Sequence, residues 1–257
     1  MNKFISGFLF LLLAISCAKN KNPNVLRPEV SHAKWDELLN VHVDTNGMVD
    51  YQSFKADEGA LDDYLELIAS NHPNENWTEN ARKAYWINAY NAFTIKLILD
   101  HYPVKSIRDI KKGIPFINSV WDIEFISLQG LEYSLNDIEH KILRKDFDDP
   151  RIHFAINCAS ISCPRLHYRA FKPSVLEEQL DLAAYDFIND PTKNIVEMDG
   201  AKLSKIFSWF RGDFKNSETP SIKDYINKYS EEKIGNSGSI DYLEYNWSLN
   251  KNTNVRM

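Results

Sequence analysis

One stretch constrains this chain more than any other: an uninterrupted helical pattern from Thr78 to Asp100. Thr78 can cap its start, and Tyr102-Pro103 marks its end. Within RKAYWINAYNAFTIKL, Arg82 to Leu97, helical spacing puts Ala84, Asn88, Asn91 and Ile95 on one face, beside a stripe of Trp86, Tyr90 and Leu97. A helix this apolar over adjoining stripes must be wrapped by other elements. Asn88 and Asn91 then lie in apolar surroundings, where an amide has to find partners. They either bond loop backbone and fix the helix or line a site.

The elements available for wrapping are short. Asn46-Gly47, between the apolar pieces of Val41 to Tyr51, is a hairpin signal, as are Gln129-Gly130 within Val120–Tyr133 and Asp199-Gly200 within Val196–Leu203. Helical patterns cover Leu61–Ala69, a stretch capped by Ser134 through about Arg144, one from Pro173-Ser174 to near Pro191, the aromatic Ile206–Phe214, and Ser221–Tyr229. Arg151–Cys158 is a short apolar run that predicts a buried strand. Helices and hairpins without a βαβ rhythm predict an α+β fold, one domain over residues 31–250 with short antiparallel strands and a polar, frayed tail over 251–257. A chain of 257 residues, 44% apolar and 26% charged, can build such a core unaided.

The N-terminus predicts an address. Lys3 precedes an apolar stretch from Phe8 to Ile15, the length of a signal-peptide core and short for a membrane span. Ala14-Ile15-Ser16-Cys17 resembles a bacterial lipobox, which implies a signal peptide over residues 1–16, lipid attached to Cys17, and a flexible tether over 17–30. The expected partner is therefore a membrane, reached through the anchor, with the domain outside the cytoplasm in the cell envelope. With 30 basic against 36 acidic residues, nucleic acid is not expected as a partner.

Two segments carry candidate chemistry. In SLNDIEHKILR, Glu139 shares the apolar face of Leu135, Ile138 and Ile142, where desolvation raises a carboxyl pKa; His140 points about 100° away, with Arg144 one turn later. A buried ion pair and a catalytic acid both fit that position. In RIHFAINCASISCPRLHY, His153, Asn157, Cys158, Ser160, Cys163 and His167 crowd together. On an extended segment His153 and Asn157 share one face and Cys158 takes the other. Cys158 and Cys163 can form a disulfide, which the extracytoplasmic address permits, remain inert thiols, or supply a nucleophile activated by a histidine. His153 and His167 do not complete a standard zinc set with them, so neither metal nor cofactor is expected. Trp209, Phe210, Trp247 and the tyrosines either face a ligand or fill the core.

Taken together, AYWINAYNAFTI, SLNDIEHKILR, DPRIHFAINCASISCPRL, SKIFSWFRGDF and YNWSLN resemble the domain-of-unknown-function 547 family, from about Trp35 to Asn250. The resemblance implies an α+β domain of the kind found in secreted and lipid-anchored bacterial proteins and in larger plant proteins. It brings no settled activity. By motif the matched positions are Trp86, Asn88, Tyr90, Asn91, Glu139, His140, Arg144, His153, Cys158 and Pro164. Plant members do not always carry the Cys163 equivalent, which leaves His153 and Glu139 as the better candidates for a shared site. The expectation is a cysteine-dependent hydrolase or acyltransferase with a papain-like arrangement: Cys158 as nucleophile, His153 or His140 as base, Glu139 as orienting group, and Asn88, Asn91, Arg144 and Ser160 in binding roles. The alternative is a non-catalytic module that binds a protein or small molecule, or that serves envelope structure.

Overall fold

The structure is a computed structural model that describes residues 29–111 and 119–252. The expected signal peptide, tether and Cys17 lie outside the described residues, except that the tether's last two positions, Glu29 and Val30, are included. The central element is α4 (Glu79–His101), capped by the Thr78 hydroxyl, which accepts from the Ala81 amide at 3.1 Å. It is buried on almost every side, as its apolar stripes require. α2 (Tyr51–Ala56) and α3 (Glu58–Ser70) pack against it, α3 contributing Leu61, Tyr64 and Ile68 to the main core, and α1 (Ala33–His42) packs in turn on α2 and α3. The hairpin β1 (Ile126–Leu128) and β2 (Leu131–Tyr133) covers another side; Gln129 and Gly130 both take positive φ in its turn. Val120–Asp122, expected in a strand, is instead a 3-10 turn with a Ser119–Asp122 capping box.

A second apolar cluster stands beside the first. α7 (Leu176–Asn189), α8 (Ile206–Trp209) and α9 (Ile222–Tyr229) pack with Phe154 and a three-stranded sheet. In that sheet β3 (Ile195–Glu197) runs antiparallel to β4 (Gly200–Leu203), as the Asp199-Gly200 signal predicts. β4 then pairs in parallel with β5 (Ser239–Tyr242), a departure from the all-antiparallel expectation. The architecture is α+β, dominated by helix.

Three expectations are corrected here. Arg151–Cys158 is not a strand: α6 (Ile152–Ala155) is a helical turn, and only from Ile156 is the chain extended. The cause lies just upstream, where the Asp149 carboxylate accepts from the Arg151 amide at 3.0 Å and Pro150 supplies a pre-set φ, a helix-starting pair that a short apolar run does not override. The hairpin at Asn46-Gly47 shrinks to one Val43–Val49 bridge, because α1 runs on to His42. Nor is the tail frayed at Lys251, which bridges to Val49, while the Asn252 amide bonds the Val49 carbonyl at 2.8 Å.

α6 is the seam between the two clusters. Ile152 and Ala155 belong to the first and Phe154 to the second. Buried Lys83 of α4 holds α6 in place through Asp149 at 2.9 Å, and Arg151 grips the same carboxylate.

Candidate functional site

A cavity of about 170 Å³ opens at this seam, lined by Glu139, His140, His153, Cys158 and Cys163 and walled by aromatic rings. The segment of Glu139 is a π-helix, Asp137–Leu143, prolonged by the single turn α5 (Arg144–Asp146). A widened turn of this kind re-aims side chains and recurs at functional sites. Here it leaves Ile138, Glu139 and Leu143 buried and His140 at the exposed rim.

Glu139 is only 8% exposed. Burial drives its carboxyl upward; the Arg144 charge and a hydrogen bond from the Tyr90 hydroxyl pull it partway back, and it settles at about 7. Across the cavity wall, Oε1 of Glu139 lies 4.0 Å from Nδ1 of His153. The other ring nitrogen, Nε2, meets Oδ2 of Asp213 at 2.8 Å. Burial lowers the His153 pKa, with Asp213 opposing, so the ring is neutral at pH 7. Partial burial opposes ionisation of Asp213, but hydrogen bonds from Arg144 and His153 outweigh it and hold this carboxyl well below the usual range.

Those charge states fix a proton. Asp213 is ionised and can only accept, so Nε2 of His153 carries the hydrogen and Nδ1 presents a lone pair beside Glu139. Asp213 is itself clamped by a two-point Arg144 fork, Nε to Oδ2 at 2.6 Å and Nη2 to Oδ1 at 2.8 Å. The remaining Arg144 arm donates to Nδ1 of His140 at 3.0 Å, and burial with the Arg144 charge lowers the His140 pKa. Phe210 stacks on His153 with centroids 4.1 Å apart and receives Arg144 against its ring. The result is one chain of contacts, His140–Arg144–Asp213–His153, with Glu139 and Tyr90 beside its end.

The cysteines face the same cavity. Cys158 and Cys163 are joined in a disulfide, Cα atoms 6.3 Å apart. No histidine lies within hydrogen-bond reach of either sulfur among the described residues; the polar groups that reach them are the Cys158 amide and the Ser160 and Tyr245 hydroxyls. Their loop is held from beneath. Asn91 donates to the Ala155 carbonyl at 2.9 Å and accepts from the Asn157 amide at 2.8 Å. Asn157 reaches the Pro164 carbonyl and the Ala159 amide, which sets Ala159 in the left-handed region at φ 58. Asn88 makes the equivalent pair of bonds to the Phe171 backbone. Both helix amides therefore position loops and do not line the cavity, contrary to the binding roles expected of them. Arg144 likewise orients neighbours, and Ser160 sits against the sulfurs. His167 is half-buried with its ring edge-on to Phe171, apart from the cavity.

Sequence reasoning gave no role to Asp213, although SKIFSWFRGDF contains it; an acid closing an aromatic turn after Arg-Gly was the available signal. Trp121 was also missed, and nothing singled out Tyr245 among the tyrosines. Tyr245 arrives on a segment that runs beside the cysteine loop, with Ile161 and Ser162 amides bonded to the Ser248 and Asn246 carbonyls. Trp209, Trp247 and Tyr245 stack at the mouth, Trp209 still 48% exposed. Among the described residues no group of three or more His, Cys, Asp or Glu side chains is placed to hold a metal ion, and no helix is long and apolar enough to cross a membrane.

Residues 74–188 match a family described as a protein of unknown function, DUF547. This supports the family resemblance over the part of the chain that carries Asn88, Asn91, Glu139, His140, Arg144, His153 and both cavity cysteines. No curated protein and no solved structure matches the chain.

Proposed function

We propose that this is a domain outside the cytoplasm, anchored to a membrane through lipid on Cys17, whose cavity carries out cysteine-dependent acyl chemistry, hydrolysis or transfer, in its dithiol state. The observation that carries the reading is the orientation of His153: Asp213 holds the Nε2 proton, and the free Nδ1 lone pair sits at the cavity that Cys158 also lines. A base fixed by a carboxylate and sharing a pocket with a nucleophile is the logic of a catalytic triad. In the dithiol state the freed Cys158 side chain has to turn toward His153, which neither sulfur reaches in the disulfide; Nδ1 then takes the Cys158 proton, the thiolate attacks an acyl carbonyl, and the imidazolium returns the proton to the leaving group. Water or a second nucleophile then releases the acyl group. Glu139, near the middle of its titration at neutral pH, is a second proton source beside the same nitrogen.

The test is the rate of iodoacetamide labelling of the reduced protein across pH. The reading expects Cys158 to titrate below the ordinary thiol value of about 8.5 and His153→Gln to move that titration upward. An ordinary thiol titration, the same in both proteins, overturns it. A second reading, a module that binds a small ligand without chemistry, is favoured by the disulfide and by the aromatic walls, which suit a bound apolar or flat group. The anchor is tested separately: Cys17→Ala should move the protein from the membrane fraction to the soluble one.

A further inference from the structure

The bridge between Cys158 and Cys163 is asymmetric. Cys158 is half-buried, whereas Cys163 is 3% exposed. The Cys163 sulfur is ringed by donors: the Cys158 amide at 3.0 Å, the Tyr245 hydroxyl at 3.2 Å and the Ser160 hydroxyl at 3.4 Å. The Cys158 sulfur receives the same two hydroxyls, at 3.0 Å from Ser160 and 3.5 Å from Tyr245, and no backbone amide. Disulfide sulfurs carry no hydrogen, so a contact can only be donated to sulfur; each hydroxyl shares its single hydrogen between the two sulfurs, which leaves the Cys158 amide as the donor that distinguishes Cys163. Such bonds are weak to a neutral bridge and strong to a thiolate, because a charged acceptor roughly doubles the strength of a hydrogen bond.

We infer that this bridge is a thiol-exchange site of fixed polarity, at which an external thiolate joins Cys158 and expels Cys163. In the first step the incoming thiolate places its electron pair on the Cys158 sulfur. A mixed disulfide forms, the Cys158–Cys163 bond breaks, and its electron pair leaves on the Cys163 sulfur, received by the Cys158 amide and the Tyr245 and Ser160 hydroxyls. In the second step another thiolate, or the second thiol of a dithiol, attacks the donor's sulfur in the mixed disulfide. Cys158 departs as thiolate, the donor is oxidised to a disulfide by two electrons, and the protein has gained two. The partner class is a small thiol or a dithiol reductant that can reach the cavity mouth. The inference does not require acyl transfer, although it frees the thiol on which that reading depends.

Glutathione is the probe. The oxidised full chain is incubated with it, quenched with N-ethylmaleimide and mapped by peptide mass. The expected product carries glutathione on Cys158 and maleimide on Cys163. Glutathione on Cys163, an equal division between the two, or reaction only after denaturation overturns the inference. Tyr245→Phe should slow the first step about tenfold, from the loss of one bond to the leaving thiolate. A companion readout needs no exchange: in Cys158→Ala, the ultraviolet thiolate signal of Cys163 should titrate below 8.5, and adding Tyr245→Phe should raise it. An ordinary titration there also overturns the inference. Selective adducts on Cys158 combined with an ordinary Cys158 titration in the labelling experiment would keep the exchange site and remove the acyl-transfer reading.

Discussion

Replacing Glu139 by Gln should make the protein more stable, and increasingly so as pH rises. In the folded state the Glu139 carboxyl titrates at about 7, against 4.5 for a free glutamate. Between those values the native state holds a proton that the unfolded chain has released. Stability from this group is complete below pH 4.5 and is lost as pH rises through 7. Each pKa unit corresponds to about 1.4 kcal/mol, so the full loss is about 3 kcal/mol. Glutamine keeps the shape and a hydrogen-bonding oxygen for Tyr90 but never ionises. The groups that face Glu139, namely Tyr90, Arg144, Asp213, His140 and His153, are unchanged, so their own pH dependence largely cancels in the comparison. Urea unfolding of both proteins at about pH 5 and about pH 8 should show the advantage of the Gln variant rising by roughly 2–3 kcal/mol across that range. Parallel stability curves would refute the reasoning, because they would mean that Glu139 is as solvated in the folded protein as in the unfolded one. Glu139→Ala is a different perturbation: it leaves the Tyr90 hydroxyl without its acceptor and should cost about 1–3 kcal/mol at acid pH.

Asn91→Leu should cost roughly 2–5 kcal/mol in urea unfolding, because it strands the Ala155 carbonyl and the Asn157 amide in the core, and a loss below about 1 kcal/mol would contradict the bonding described. Gly47→Ala should destabilise by more than about 1 kcal/mol, since φ there is +76 and an added Cβ would lie 2.5 Å from Cβ of Arg165 and 2.7 Å from the Leu166 amide nitrogen; an unchanged midpoint would mean that this loop yields freely.

How much of this was legible depends on where each signal lies in the chain. α4 was readable because its cap, its apolar stripes and its terminating Tyr102-Pro103 all fall within one segment. The burial of Glu139 was readable for the same reason, from its phase with Leu135, Ile138 and Ile142. The shape of the His153 segment was not, because a four-residue helical turn and a buried strand have the same apolar composition, and the deciding Asp149-Pro150 lies just outside the run. The partner of His153 was misassigned for a deeper reason. Glu139 is near it, but the bonded carboxylate is Asp213, sixty residues further on, and only the docking of the second cluster brings it there. Asn88 and Asn91 were correctly seen as buried amides, yet whether an amide faces a loop or a cavity is decided by what packs against its helix, which the helix's own pattern does not record.

The last stretch of chain gives the site a dependence that its motifs conceal. From Leu243 onward it hydrogen-bonds in turn to Leu203, to the cysteine loop, to Lys105 and to Val49, so it fastens the second cluster, the site and the start of the domain to one another like a drawstring. A fragment ended at residue 188, where the family match stops, would keep both cavity cysteines, Glu139 and His153. It would lose the carboxylate that orients the histidine, the hydroxyl that Tyr245 brings to the sulfurs, and the thread that draws them together. Any piece of this chain made for biochemistry therefore has to extend through Asn252, however early its recognisable motifs end.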